Sequence, residues 1–229
     1  MALPILETPT FELTVPSTKE AVKFRPFLVK EEKLLMLAAE SGEFKGMVEA
    51  CQQVVTNCSF GEIDGANQTM FDLQYLFINV RKESVGETQD FTLTCGGCQK
   101  QTPYQLNLSD MEVKGLDEVG NNKIGITDNM GLVLRYPSSS ILAETELNDY
   151  DVIAGCIDYV YTEEETISTK DESKEEIGNF IDSLPISAMN EIREYFDTMP
   201  LVEYVVDYKC KDCGHENKIS INGAEHFFV

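Results

Sequence analysis

The first part of the chain changes from strand-like to helical spacing of its apolar residues. Apolar and polar residues alternate over 11–15 and again over 22–27, with a turn-forming stretch at 16–19 between them. The segment at 30–41 is rich in Leu, Ala, Glu and Lys and ends at Gly42, and apolar residues recur at steps of three and four over 43–57. The pattern predicts an N-terminal hairpin arm followed by two helices, of which the second has a clear apolar stripe.

Helical spacing returns at several later places. The segment at 68–82 is apolar on nearly all sides, so we expect it either at the centre of its own bundle or partly covered by a partner. Helices are also predicted over 149–160 and over 173–199, where Pro185 divides one helix from the next. The polar, acidic stretch at 162–176 is predicted to be a solvated loop, with a docking tract as the alternative.

Two predicted β-hairpins each carry a Cys-x-x-Cys turn. The first cysteine turn is Cys95-Gly-Gly-Cys98 and the second is Cys210-Lys-Asp-Cys213, and strand-like segments enter and leave both. A two-residue spacer lets both thiolates of a turn reach one metal, and four thiolates complete a tetrahedral site. We therefore predict one structural zinc ion, which joins the middle of the chain to its end and is bound by Cys95, Cys98, Cys210 and Cys213.

Other interpretations of the cysteines fit less well. Redox dithiols of the thioredoxin type precede a helix, whereas strands follow both turns here. Disulfides are not expected because no secretory signal opens the chain, and a catalytic zinc needs an open coordination position that four protein ligands do not leave. His215 is an alternative ligand in place of Cys213, although a bystander role suits it better. The remaining cysteines lie on apolar stripes of predicted helices and are expected to be buried: Cys51, Cys58 and Cys156.

These elements predict an α+β fold in which helical bundle regions bracket a small antiparallel β module stapled by the zinc site. A strand, turn and strand at 123–136 add to the β region. The predicted domains are an N-terminal β-arm plus helical region at 1–87, a β and zinc-hairpin module from 88–136 and 201–229, and a C-terminal helical region with the acidic loop at 137–200. We expect the apolar tail at 222–229 to pack beneath the zinc hairpin, with an exposed hook for another subunit as the alternative.

Composition and charge restrict the classes of partner. With 42% hydrophobic residues and no apolar run near the roughly 18–20 residues of a membrane span, the chain is expected to be folded, soluble and cytoplasmic. Its 18 Lys and Arg against 40 Asp and Glu give a net charge of −22. Such acidity works against nucleic-acid binding unless a basic patch is segregated, and none is visible. A basic protein partner is favoured instead.

The sequence offers no recognisable catalytic motif. The two histidines, His215 and His226, lie near the C-terminus, and the chain has no nucleophile elbow, phosphate loop, Gly-rich dinucleotide motif or His-Glu-x-x-His. We therefore expect neither an enzyme nor a small-molecule substrate.

The opening residues carry a family resemblance. The segment Met1-Ala-Leu-Pro-Ile-Leu-Glu-Thr-Pro-Thr-Phe-Glu-Leu-Thr-Val-Pro-Ser-Thr, followed by Phe24-Arg-Pro-Phe-Leu-Val-Lys-Glu-Glu-Lys-Leu-Leu, resembles the start of the baseplate hub subunit family of T4-like contractile-tailed bacteriophages. The resemblance is most specific over residues 1–40 and looser to about residue 85. It implies a late protein used in building the baseplate hub, on which the tail tube is initiated and to which the tape-measure protein attaches.

The resulting hypothesis is a non-enzymatic tail protein that acts through protein contacts. It is either a retained hub component or an assembly factor, a chaperone-like protein that shields the tape-measure protein and then leaves. Its expected partners are other hub proteins and the tape-measure protein. The expected location is the host cytoplasm during assembly and, for a retained component, the virion tail baseplate. The predicted contact surface in the arm is Phe24, Arg25, Pro26 and Phe27. The alternative function is an acidic zinc-ribbon adaptor of phage transcription or replication machinery.

Overall fold

The computed structural model of the chain describes residues 7–118, 120–144 and 148–222. The helices of these residues are α1 (Val29–Ser41), α2 (Phe44–Cys58), α3 (Met70–Val85), α4 (Ser139–Ala143), α5 (Asp149–Cys156), α6 (Lys174–Asp182) and α7 (Ile186–Asp197). The strands are β1 (Phe11–Thr14), β2 (Ala21–Phe24), β3 (Thr88–Thr94), β4 (Gln101–Asn107), β5 (Glu112–Lys114), β6 (Lys123–Thr127), β7 (Met130–Leu134), β8 (Ile157–Tyr161), β9 (Thr166–Ser168), β10 (Leu201–Lys209) and β11 (Glu216–Asn222). The strands form small antiparallel sheets, so the predicted combination of helices with such sheets is confirmed for the described residues.

The described chain divides into two compact units. The first contains the residues up to 114 together with those from 201 onward, and the second contains 115–200. The domains predicted from the sequence group β6 and β7 with the cysteine hairpins, whereas in this structure both strands belong to the second unit. No helix among the described residues is both long and apolar enough to cross a bilayer. The predicted packing of the tail concerns residues that, apart from Asn222, lie outside the described part of the chain.

Helix α3 lies at the centre of the first unit. Thr69 caps its start by accepting the N–H of Asp72 at 3.2 Å. The helix packs against α2 and against β10 and β5, and Leu76, Phe77 and Val80 are completely buried. The apolar residues on nearly all sides of this helix are therefore explained by burial within its own unit.

The arm is the predicted hairpin. β1 and β2 pair in antiparallel register, with Phe11 opposite Phe24, and their rings stack with centroids 6.2 Å apart. Phe24 has no exposed surface, and Val15 and Val22 are also buried. Side chains at alternate positions of the hairpin thus seal it onto the first unit.

The second unit contains the four-stranded sheet β6-β7-β8-β9 and a core shared with α5, α6 and α7. The predicted helix over 149–160 is wrong in its last third: α5 ends at Cys156 and Ile157–Tyr161 is β8. The β-branched and aromatic side chains of this stretch favour a strand, and β8 pairs with β7 on one side and β9 on the other.

The acidic segment between β8 and α6 is more structured than a loop. Its residues at 163–165 are exposed, as predicted, but Thr166–Ser168 pairs with β8 as β9. A short 3-10 helix at Thr169–Asp171 follows. A capping box begins α6, since Ser173 and Glu176 bind each other's backbone N–H groups. The sequence does not predict β9, because an alternating pattern of only three residues cannot be distinguished from the polar residues around it.

Candidate metal centre

The first cysteine turn connects β3 to β4. The backbone N–H of Cys95 donates to the carbonyl of Lys100 at 2.9 Å, and the N–H of Gln99 donates back to the carbonyl of Cys95 at 2.9 Å. Gln99 adopts a left-handed backbone conformation with φ 60°. This tight turn places the thiols of Cys95 and Cys98 beside those of the second turn.

The second cysteine turn connects β10 to β11 and repeats this geometry. The N–H of Cys210 donates to the carbonyl of His215 at 2.8 Å, and the N–H of Gly214 donates to the carbonyl of Cys210 at 2.9 Å. Gly214 has φ 74°, a conformation that glycine adopts without strain. The two turns are therefore the same structural unit, supplied twice by distant parts of the chain.

The four sulfur atoms of the two turns meet in one cluster. They all lie within 4.8 Å of one another, and among the described residues they form the group of His, Cys, Asp and Glu ligand atoms suited to a metal. The Sγ atoms of Cys95 and Cys213 are 3.7 Å apart, as are those of Cys98 and Cys210. A tetrahedral ion with metal–sulfur bonds of about 2.3 Å requires sulfur–sulfur distances of about 3.8 Å. The thiols thus fit a tetrathiolate metal site.

His215 lies beside this cluster but is not one of its four ligand residues. Its side chain packs against the first turn, where an ideal Cβ on Gly97 lies 2.9 Å from the Cβ and the Cγ of His215. The absence of a side chain at Gly97 is what lets the two turns approach. The bystander role predicted for this histidine agrees with that placement.

Asn217 connects the two turns through three hydrogen bonds. Its Oδ1 accepts the N–H of Gly96 at 2.8 Å, and its Nδ2 donates to the Sγ of Cys95 at 3.6 Å and to the carbonyl of His215 at 3.1 Å. The residue is buried, so each of its polar atoms has a partner where water is excluded. Groups of this kind orient metal ligands. Sequence reasoning missed Asn217, whose signal is a polar residue at an inward position of β11.

Two further side-chain pairs hold the cysteine hairpins together. Lys100 and Asp212 form an ion pair at 2.5 Å between the two turns. The hydroxyl groups of Tyr104 and Tyr204 lie 3.1 Å apart, and this hydrogen bond, with burial, raises the pKa of Tyr104 to about 12. The ion pair is exposed and contributes little stability by itself. Both contacts join the hairpins without involving the sulfurs.

Hydrogen-bond donors prepare Cys95 for the thiolate form. They lower the pKa of its thiol to about 6, with the largest contribution from the backbone N–H of Cys98. Donors from Gly97 and Asn217 add to this effect, which outweighs the burial that raises the pKa. Cys95 is thus ready to act as an anionic ligand at neutral pH.

Cys213 shows the opposite tendency. The backbone N–H of His215 lowers the pKa of its thiol, but hydrogen bonds with the three neighbouring thiols and burial outweigh this and raise it to about 12. Four thiolates within 4.8 Å repel one another, so the cluster holds protons until a cation replaces them. A metal ion bound by these thiols would therefore displace protons from them.

The predicted contact residues of the arm lie in the first unit, and the structure buries two of them. Phe24 is inside the core, and Arg25 is 7% exposed with its Nη2 3.1 Å from the Oε1 of Glu31. Pro26 and Phe27 are half-buried. Of the four predicted contact residues, a partner can therefore reach only Pro26 and Phe27 in this fold. The contact role of the arm stays a prediction.

The Arg25–Glu31 ion pair explains why a charged residue of the arm is buried. Burial raises the pKa of Glu31, but its hydrogen bonds with the Arg25 side chain and the Leu28 N–H, together with the charges of Arg25 and Lys30, outweigh this and lower the pKa. Glu31 also accepts from Asn57 at 3.4 Å. The pair thus joins the arm to α1 and α2.

The structure defines a mixed α/β protein with four clustered cysteine thiols that could hold a metal ion. Four thiolates would fill all positions of a tetrahedral ion, as in structural metal sites. A family model described as T4 bacteriophage base plate protein matches residues 8–229. The chain belongs to this family, as the resemblance of its opening residues predicts. The match includes both cysteine turns. Searches of curated proteins and of solved structures find no match.

Proposed function

We propose that this chain is a non-enzymatic component or assembly factor of the baseplate hub. It acts through contacts with other hub proteins and with the tape-measure protein when the tail tube is initiated. The observation that supports this role is the family match over 8–229, which makes the chain a phage baseplate protein over nearly its whole length. The hub assignment itself comes from the resemblance of residues 1–40 to hub subunits.

We propose zinc as the metal of the cysteine cluster, with Cys95, Cys98, Cys210 and Cys213 as its ligands. Soft thiolate donors in tetrahedral arrangement select zinc or iron, and zinc is the usual ion of four-cysteine structural sites. When bound, the ion supplies binding energy to the fold of two hairpins that lie more than 110 positions apart in sequence. Its role is to fix a surface that other proteins recognise.

The charge of the chain supports a protein partner over a nucleic acid. A net charge of −22 repels phosphates and attracts basic surfaces. We infer that Pro26 and Phe27, the accessible end of the predicted arm surface, belong to the region that contacts hub proteins. A gel shift at low ionic strength distinguishes this role from the adaptor alternative, because only the adaptor is expected to retard DNA or RNA.

The proposed role is tested by following the chain through tail assembly in infected cells. Mass spectrometry of purified tails and of hub intermediates should find it in both for a retained component, and only in intermediates for an assembly factor. Tails from the same phage carrying Cys95→Ala should lose the chain or fail to assemble, whereas the control Cys51→Ala, a buried cysteine outside the cluster, should assemble. Absence from both intermediates and tails contradicts the proposal.

A further inference from the structure

A cavity of about 430 Å³ opens on the second unit between α4, α5, α6 and the 3-10 helix at 169–171. Ligand sites of about 300–1,000 Å³ are typical for small molecules. The metal site and the arm lie in the first unit. The cavity is therefore a separate feature that needs its own explanation.

Most of the cationic residues of the second unit line this cavity, together with three acidic residues. Residues 115–200 contain 19 Asp and Glu but only five cationic residues, namely Lys123, Arg135, Lys170, Lys174 and Arg193. Three of the five, Arg135, Lys170 and Lys174, line the cavity. Arg135 is held in place because its Nη2 donates to the carbonyl of Gly155 at 3.1 Å. A strongly acidic unit thus gathers most of its cations at one concave surface.

The lining between these cations is largely apolar and includes open space. Ile141, Ile177 and Ile181 contribute to it, and a Cβ built on Gly178 of α6 meets no atom within 4 Å. The ring of Tyr150, which is 53% exposed, also lines the cavity. Tyrosine is enriched where proteins contact one another. An apolar side chain of a ligand therefore has room beside Gly178.

Acidic residues on the lining narrow the choice of ligand. The carboxylate of Asp151 already accepts the N–H of Asn148 in the capping box of α5. Glu144 and Asp182 are exposed and also line the cavity. The carboxylates of Glu144 and Asp182 can accept hydrogen bonds from N–H groups of a ligand. A peptide offers such donors together with carboxylates, whereas a simple anion meets only the cations.

We propose that this cavity binds a peptide segment of a partner protein in which an apolar side chain stands beside an Asp or Glu. The apolar side chain occupies the space at Gly178, and the carboxylate pairs with Lys170 and Lys174. The inference rests on the proposed hub role for the identity of its partner. Binding of the peptide itself is measured on the purified full chain, so its outcome is separate from the mass spectrometry of tails.

The test begins with an array of hexapeptides whose positions are apolar, acidic, basic or neutral polar, followed by calorimetric titration of the strongest binders. We expect peptides that combine apolar and acidic positions to bind best, and more weakly as salt rises. Strongest binding by basic peptides, or binding by none, overturns the proposal.

Variants of the full chain locate the binding site. Gly178→Leu fills the cavity and favours the helix, so it should fold while reducing peptide affinity at least about tenfold. Lys174→Glu should reduce it about tenfold by reversing a charge, whereas Arg193→Glu, the same charge change outside the cavity, should leave it unchanged. Binding that survives both Gly178→Leu and Lys174→Glu places the peptide elsewhere and refutes the proposal.

Discussion

A methyl group at Gly97 is expected to weaken the metal centre by disturbing the packing of the two cysteine turns. An ideal Cβ there lies 2.9 Å from the Cβ and Cγ of His215, while carbon atoms in favourable contact are about 3.5–4.0 Å apart. His215 cannot swing aside, because the atoms involved are close to its backbone and its carbonyl accepts the N–H of Cys210. Gly97→Ala must therefore push the two cysteine turns apart by several tenths of an ångström.

The expected size of the effect follows from this overlap. Added methyl groups in close-packed sites cost about 1–3 kcal/mol. Here the displacement acts on turns whose sulfurs are already spaced for a tetrahedral ion, so we expect most of the cost to appear in metal binding. An effect of this size corresponds to about 5- to 150-fold weaker affinity for zinc.

Gly96→Ala is the matched control because it lies in the same turn, between the same two cysteines. A Cβ on Gly96 is 3.6 Å from both the Oδ1 of Asn217 and the Nε2 of His215, which is ordinary contact. Both variants also remove one glycine from the unfolded chain, so that contribution cancels. Zinc affinity is measured by competition with a chromophoric chelator at neutral pH. Equal affinities of the two variants refute the reasoning.

Four further outcomes are expected. Cys95→Ser, or removal of the metal by a chelator, should lower the thermal stability of the cysteine hairpins substantially, since structural zinc contributes on the order of 10 kcal/mol in peptide sites; Cys51→Ala should stay sensitive to the chelator like the parent chain. Zinc affinity should fall as the pH falls, because protons compete for the thiolates, and release measured across a pH series checks this. Glu31→Gln should cost about 1.5–3 kcal/mol in urea unfolding at neutral pH. Because the pKa of Glu31 is lowered in the folded state, its contribution to stability is present above the unfolded pKa and is lost as the pH falls through the folded pKa. The difference in unfolding free energy between Glu31→Gln and the parent should therefore shrink in acid. The control Glu32→Gln, on the exposed face of α1, should change stability little at any pH. Lys100→Ala should cost less than about 1 kcal/mol, because its ion pair is exposed.

The parts of the structure that follow from the sequence are those with strong local signals. The cysteine turns are specified by the spacing of Cys95 and Cys98 and of Cys210 and Cys213, and the strands that flank them alternate clearly. The apolar stripe of α2 and the capping box of α6 are similarly local. Such features depend on neighbours within a few positions of the chain.

Other parts depend on contacts that the sequence does not display. Residues 157–161 continue the apolar pattern of α5 but form a strand because β7 and β9 are available to pair with them. A charged residue such as Arg25 is expected at the surface, and its burial is explained only by the ion pair with Glu31. The same holds for Asn217 and for the approach of His215 to Gly97, which arise only when the two hairpins meet.

X-ray absorption of the protein purified without chelator tests most directly whether four sulfurs from two distant hairpins bind one metal ion. We expect one zinc ion per chain, with four sulfur neighbours at about 2.3 Å and no nitrogen or oxygen in the first coordination shell. Protein that contains no metal, or zinc bound by nitrogen or oxygen, contradicts the account.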